Sequence, residues 1–143
     1  MKYSTKLSDS VHILVFIALS DNQTLSSADI AVSIQTNAAY VRQLMAKLKA
    51  AKLIQSTRGQ ANPALGKRPK DITLLEVYRA VEGNKPLLHM DTHTNPNCGV
   101  GINIQLALAE YYARIQEHVE HEMQHITLLD IIDSYHLRTG QNV

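Results

Sequence analysis

A single cysteine, Cys98, six glycines and four prolines are all that the 143 residues contain of the types that staple or break a chain. One cysteine forbids an internal disulfide, supplies a single thiolate where zinc or iron–sulfur sites built on cysteine need several, and fits a reducing compartment. Sparse Gly and Pro, with 45% hydrophobic and 19% charged residues, exclude collagen-like and disordered classes. The longest apolar run, Ile13 to Leu19, falls far short of the roughly 20 residues that span a bilayer. Lys2 and Lys6 precede that run as in a secretory leader, but Asp9 and His12 interrupt the approach and Ala18-Leu19-Ser20 is only a loose cleavage site. The expectation is a cytoplasmic chain with no membrane contact, long enough to bury a core without metals or disulfides.

Charge is unevenly divided. The formal net charge is +1, yet residues 1–70 sum to +7 and residues 71–143 to −6. A basic half that recruits an anionic partner points to nucleic acid or an anionic membrane, because neutralising phosphates releases counterions.

Helix-start chemistry organises the chain. Ser8-Asp9-Ser10 precedes an apolar helical face at Val11, Leu14, Val15, Ala18 and Leu19, predicting a helix over 9–20. Ser26-Ser27-Ala28-Asp29 is a capping box opening a short helix to about Ser33. After a short turn, Val41, Leu44, Met45 and Leu48 recur at i, i+3, i+4 and i+7, predicting a second helix over 37–51. Two short helices joined this way, the second polar and basic outside, form a helix-turn-helix. Leu53 to Thr57 alternates like an edge strand, Arg58-Gly59 breaks it and Ala64-Leu65 returns, which is a hairpin wing. Thr73 to Glu76, with Ile72 and Val77 as staple, starts a fourth helix that stops at Gly83, and Ile126 to Ile131 uses the same grammar. Between them lie an irregular segment, 84–101, and a helix over 102–124 with Leu108, Tyr111, Ile115, Val119 and Met123 on one stripe. That stripe asks for another helix, most simply its own copy in a homodimer, so Tyr111 and Tyr112 are read as dimer core before ligand contacts.

The expected fold class is mainly α with a small β-hairpin wing, a winged helix-turn-helix plus a long C-terminal dimerisation helix. The organisation is 1–83 as DNA-binding domain, 84–101 as a loop with a possible sensing role, and 102–143 as dimerisation helix and C-terminal helix.

These pieces together resemble the Rrf-type winged-helix transcription regulators, which include iron–sulfur-cluster, nitric-oxide and cysteine-metabolism repressors. The resemblance runs over nearly the whole chain: Met1 to Lys6, Ser26 to Asp29, Tyr40-Val41-Arg42-Gln43-Leu44-Met45-Ala46-Lys47-Leu48, the Arg58-Gly59 wing, and Ile72 to Gly83. It implies a dimeric DNA-binding protein whose long helix forms the interface, each wing and recognition helix reading half of a pseudo-palindrome. Two departures stand out. Gln60-Ala61-Asn62-Pro63-Ala64-Leu65-Gly66 lacks the several glycines and the tyrosine usual in that wing, and Cys98 stands alone where cluster-binding members place three cysteines. No iron–sulfur cluster or other cofactor is therefore expected.

Candidate DNA contacts are Ser27, Thr36, Asn37, Tyr40, Arg42 and Gln43, whose amide, hydroxyl and guanidinium groups suit base edges or backbone at the start of a recognition helix. Lys47, Lys49 and Lys52 suit phosphates, and Arg58 suits a minor groove. Cys98, in a turn-rich stretch just before a helix start that favours negative charge, is the redox-sensor candidate, with an inert thiol as the alternative. His89, His93 and Cys98 form a weak metal-ligand set, and no metal is assigned. His121-Glu122-Met123-Gln124-His125 matches the zinc-hydrolase pattern, with Glu122 as general base. Leu128 and Ile131 stand where the extended motif needs Gly and His, so this alternative ranks behind a DNA-binding regulator. His118, His121 and His125 are also read as solvent-facing, with a charge change on acidification as the alternative. The reading is a double-stranded-DNA-binding repressor, not an enzyme, controlled by Cys98 oxidation or instead by a small ligand or metal; the effector, operator and target genes are not encoded in any motif.

Overall fold

The computed structural model describes residues 3–20, 25–56 and 62–140. Six α-helices are found there: α1 Lys6–Leu19, α2 Ser27–Ile34, α3 Ala38–Ala50, α4 Leu74–Glu82, α5 Gly99–Gln124 and α6 Leu128–Thr139. Two short strands, β1 Ile54–Gln55 and β2 Ala64–Leu65, pair antiparallel with Ile54 opposite Leu65. This is the expected winged helix-turn-helix with a long helix following it.

All three capping boxes form as read. Ser26 with Asp29, Thr73 with Glu76 and Thr127 with Asp130 each exchange side-chain and backbone hydrogen bonds, satisfying donors that a helix start leaves unpaired. Between α2 and α3 the chain turns through Gln35 in the left-handed region (φ 62°), while Thr36 N–H returns to the Ala31 carbonyl at 2.9 Å. Asn37 then caps α3, accepting from Tyr40 N–H at 2.8 Å.

Three boundaries differ from expectation. α1 begins at Lys6, a turn before the Ser8–Ser10 cap: Thr5 precedes it and donates its hydroxyl to Asp9 at 3.0 Å, leaving Ser10 buried inside the helix. α5 begins at Gly99 instead of 102, because Gly99-Val100-Gly101 has too little helix propensity and too few large apolar residues to register as a stripe. Among the described residues β1 covers only Ile54–Gln55; Thr57 and the Arg58-Gly59 break lie outside them. Leu53, read as strand, bridges helix and wing instead, donating to the Leu48 carbonyl and accepting from Gly66 N–H, both at 2.9 Å. That approach requires Gly66, since a Cβ there would lie 2.1 Å from the Lys52 carbonyl oxygen.

The core fills the space between α1, α2, α3 and α4 with Ile13, Leu14, Ile30, Leu44, Leu48 and Val77 among its fully buried side chains. α6 joins this same core. The starts of α4 and α6 lie side by side as an isolated antiparallel bridge, Thr73 opposite Thr127, with Leu74 N–H donating to the Ile126 carbonyl and Leu128 N–H to the Ile72 carbonyl, both at 2.8 Å. Leu128 and Ile132 are thereby buried against the helix-turn-helix unit.

α5 is the opposite case. Its 26 residues extend roughly 39 Å at 1.5 Å per residue, and none is buried. Gln116 and Glu120 tie it to α4: Gln116 donates to the Tyr78 hydroxyl at 3.4 Å and accepts from Leu87 N–H at 2.9 Å, and Glu120 meets Arg79 at 3.6 Å. Tyr78 in turn donates to the Lys85 carbonyl at 2.7 Å, which holds the start of the connecting segment. Val100, Ile104, Leu106, Tyr111 and Ile115 remain exposed, an apolar surface unusual for a lone helix in water.

Leu128→Ala should lower the unfolding free energy by about 2–5 kcal/mol, through lost burial and a residual cavity. Urea denaturation measures it, with exposed Leu137→Ala as the near-neutral control. Equal, small effects for both would contradict the docking of α6.

Candidate nucleic-acid interface

Val41, Leu44 and Leu48 turn one face of α3 into the core, so the opposite face is set by the helical repeat. Ala39, Arg42, Gln43 and Ala46 are exposed there at i, i+3, i+4 and i+7. The long polar pair is thus flanked by two alanines, small enough for the helix to approach a groove closely and apolar enough to meet a thymine methyl. The alanines were not singled out from sequence, where their size gave no functional signal; the burial phase of α3 identifies them.

Ser27 opens α2 next to this face. Arg42 Nη1 donates to Ser27 Oγ at 3.5 Å, placing a guanidinium across a helix N-terminus, an arrangement suited to phosphate. Asp29 is committed to the cap: its carboxylate accepts from Ser26 N–H at 2.9 Å and from the Ser26 hydroxyl at 2.8 Å. The backbone donor, then the hydroxyl, hold its pKa below the ordinary carboxylate value.

Other candidates carry structural bonds. Asn37 spends its side-chain oxygen on the α3 cap, and Thr36 is half-buried in the turn. The Tyr40 hydroxyl donates to Asp9 at 3.0 Å, bracing α3 against α1; burial first, and then the Asp9 carboxylate, raise its pKa and keep it a donor. Lys47 reaches the Val81 carbonyl at 3.4 Å, near the α4 C-terminus where a cation is favoured. Lys49 donates to the Ser56 hydroxyl at 2.8 Å, and Lys52 takes φ 63° where α3 runs into β1. Arg58 lies outside the described residues. Beyond β2, Lys67 pairs with Glu76 at 2.6 Å and Arg68 with Asp71 at 2.8 Å, while Lys70 is exposed beside them. This basic edge had entered the sequence reading only as part of the charge sum.

Cys98 is exposed as the α5 N-cap residue, and its side chain makes no capping bond. His93 is exposed with Asp91 3.7 Å away, whereas His89 faces a cavity beside Tyr78 and Tyr112. The three do not converge: among the described residues there is no group of three or more His, Cys, Asp or Glu placed to hold a metal. His121 and His125 lie side by side at the end of α5 with ring centroids 4.6 Å apart and planes tilted by 53°, and His125 Nδ1 donates to the His121 carbonyl at 2.7 Å. Both histidines and Glu122 are exposed, and among the described residues no third ligand joins them, so nothing supports a hydrolase centre.

The family model described as Rrf2, iron-dependent transcriptional regulator, matches residues 3–134. YwnA of Bacillus subtilis, named for the HTH-type transcriptional regulators, is 38% identical over 91% of this chain and 96% of its own length. A crystal structure described as that of a DNA-binding protein matches with TM-score 0.71 and 37% identity over 89% of this chain and 98% of that one. The structure of CymR, the global cysteine regulator of B. subtilis, matches with TM-score 0.67 and 26% identity over 93% and 97%. Iron held by several cysteine thiolates does not fit the donors here, where the chain has one cysteine.

Because the folded value of Asp29 is lowered, its ionised form contributes stability fully above the unfolded value near 3.8, and that contribution fades as pH falls through the folded value. Asp29→Asn should therefore be less stable than wild type at neutral pH, with the gap in urea midpoint closing under acid. A gap constant from pH 6 to pH 3 would contradict the cap.

Proposed function

The chain belongs to the Rrf2 family of DNA-binding transcriptional regulators, and we propose that it acts as a homodimeric repressor occupying a pseudo-palindromic operator. The exposed α3 face carries this reading. Arg42 and Gln43 lie at base edges, Ala39 and Ala46 permit the approach, and Ser27 with the α2 N-terminus meets a phosphate. Thr36, Asn37 and Tyr40 serve chiefly to position α3, while Lys47, Lys49, Lys52 and the Lys67–Lys70 edge add positive field, and Arg58 adds a further positive charge by sequence. The apolar surface of α5 packs against the same surface of a second copy, setting the spacing of the two reading heads. The protein works in the cytoplasm by binding, without catalysis, cluster or metal.

Control through Cys98 is the regulatory reading, favoured by its exposure at the start of α5. Oxidation of this thiol by peroxide would add a polar group where the connecting segment enters the dimer helix.

Arg42→Ala should reduce affinity for the operator by about 1–3 kcal/mol more than affinity for unrelated DNA. Equal loss on both DNAs in a salt-controlled titration would remove its base-reading role. Cys98→Ser should fold and bind DNA as the reduced wild type does, yet lose the response to peroxide. A variant that still responds would place the sensor elsewhere.

A further inference from the structure

α1, α2 and α6 enclose a half-open groove of about 710 Å³. Its walls include His12, Val15 and Phe16 of α1, Ser33 of α2, and Ile131 and Tyr135 of α6. Its size suits a small molecule. No Asp, Glu, Lys or Arg is among its described lining residues, and Val11, Val15, Phe16, Leu19, Leu25 and Ile131 give an entering ion little to replace its hydration. Polar atoms are nonetheless present at chosen points. His12 Nε2 and Ser33 Oγ are 2.8 Å apart, joining α1 to α2, and the imidazole stands nearly parallel to the Phe16 ring, 6.4 Å between centroids at 24°. Tyr135, 40% exposed, brings a third ring from α6. None of the lining residues lies on α5 or in 84–98.

We propose that this groove binds an uncharged, fused-ring aromatic molecule bearing a hydroxyl group, and that its occupancy changes DNA affinity. The rings and aliphatic side chains cover the faces of such a molecule, and its hydroxyl joins the His12–Ser33 pair, which already combines a donor with an acceptor. A bound ring system touches α2, the first helix of the helix-turn-helix, and α6, the helix that follows α5. It thereby links the reading head to the end of the dimer helix. The effect on DNA rests on the regulator reading above; binding itself does not.

The test is a titration of the full chain with 2-naphthol, followed by calorimetry or saturation-transfer NMR, with 2-naphthalenesulfonate as the charged comparator. Expected are one saturable site per chain for 2-naphthol, binding about tenfold weaker for the sulfonate, and a similar loss for 2-naphthol in His12→Ala. If His12→Ala does not fold, Ile131→Arg, which puts a charge at the α6 edge of the groove, carries the same expectation. Absence of saturation, equal binding of the sulfonate, or full binding by a folded variant overturns the site. With operator DNA, 2-naphthol should shift the half-saturation point by about fivefold or more. Saturable binding without that shift overturns the effector role, while failure of the ligand-free chain to bind any DNA counts against the regulator reading instead.

Discussion

Two backbone hydrogen bonds, between Leu74 and Ile126 and between Leu128 and Ile72, govern how the long helix is attached to the reading head. They flank the bridge between Thr127, the residue before α6, and Thr73, the residue before α4, 54 positions apart in sequence. With Leu128 and Ile132 buried beside them, the C-terminal end of α5 is fixed to the helix-turn-helix core. The bonds from Gln116 and Glu120 to α4 hold the neighbouring turns. What remains exposed is the apolar surface nearer the α5 start, from Val100 to Ile115. A contact between two such helices would therefore be passed to the DNA-facing helices through bonded elements.

The charge division has a physical use in this arrangement. The basic residues belong chiefly to α3 and to the segments flanking the wing, whereas Glu110, Glu117, Glu120, Glu122, Asp130 and Asp133 occupy α5 and α6. A polyanion is attracted to one end of the molecule and repelled from the other, so the field orients the encounter before any base is read. Because that attraction releases counterions, affinity for all DNA should fall with salt, and on the proposed reading specificity rests on the few side chains of the α3 face.

What was legible in the sequence was local. Each capping box involves partners three residues apart, and the inward face of α3 repeats with the helical period, so both could be read directly. The bonds that tie several candidate side chains into the fold are not local. Tyr40 reaches Asp9, Lys47 reaches Val81, and the Thr73 and Thr127 segments meet only after the intervening chain has folded back. Sequence reading recognised the shared grammar of those two helix starts but had no means of bringing them together. Gly66 was likewise just another turn glycine until its approach to the Lys52 carbonyl appeared. At Gln35 the left-handed turn uses a residue that gives no sequence signal for it.

The most direct measurement is selection of binding sites from random DNA by the full chain, followed by sequencing. Two inverted half-sites at fixed spacing, about one helical turn or a small multiple apart, are predicted for a symmetric dimer reading through α3. A single unsymmetrical site, or no enrichment at all, would contradict it.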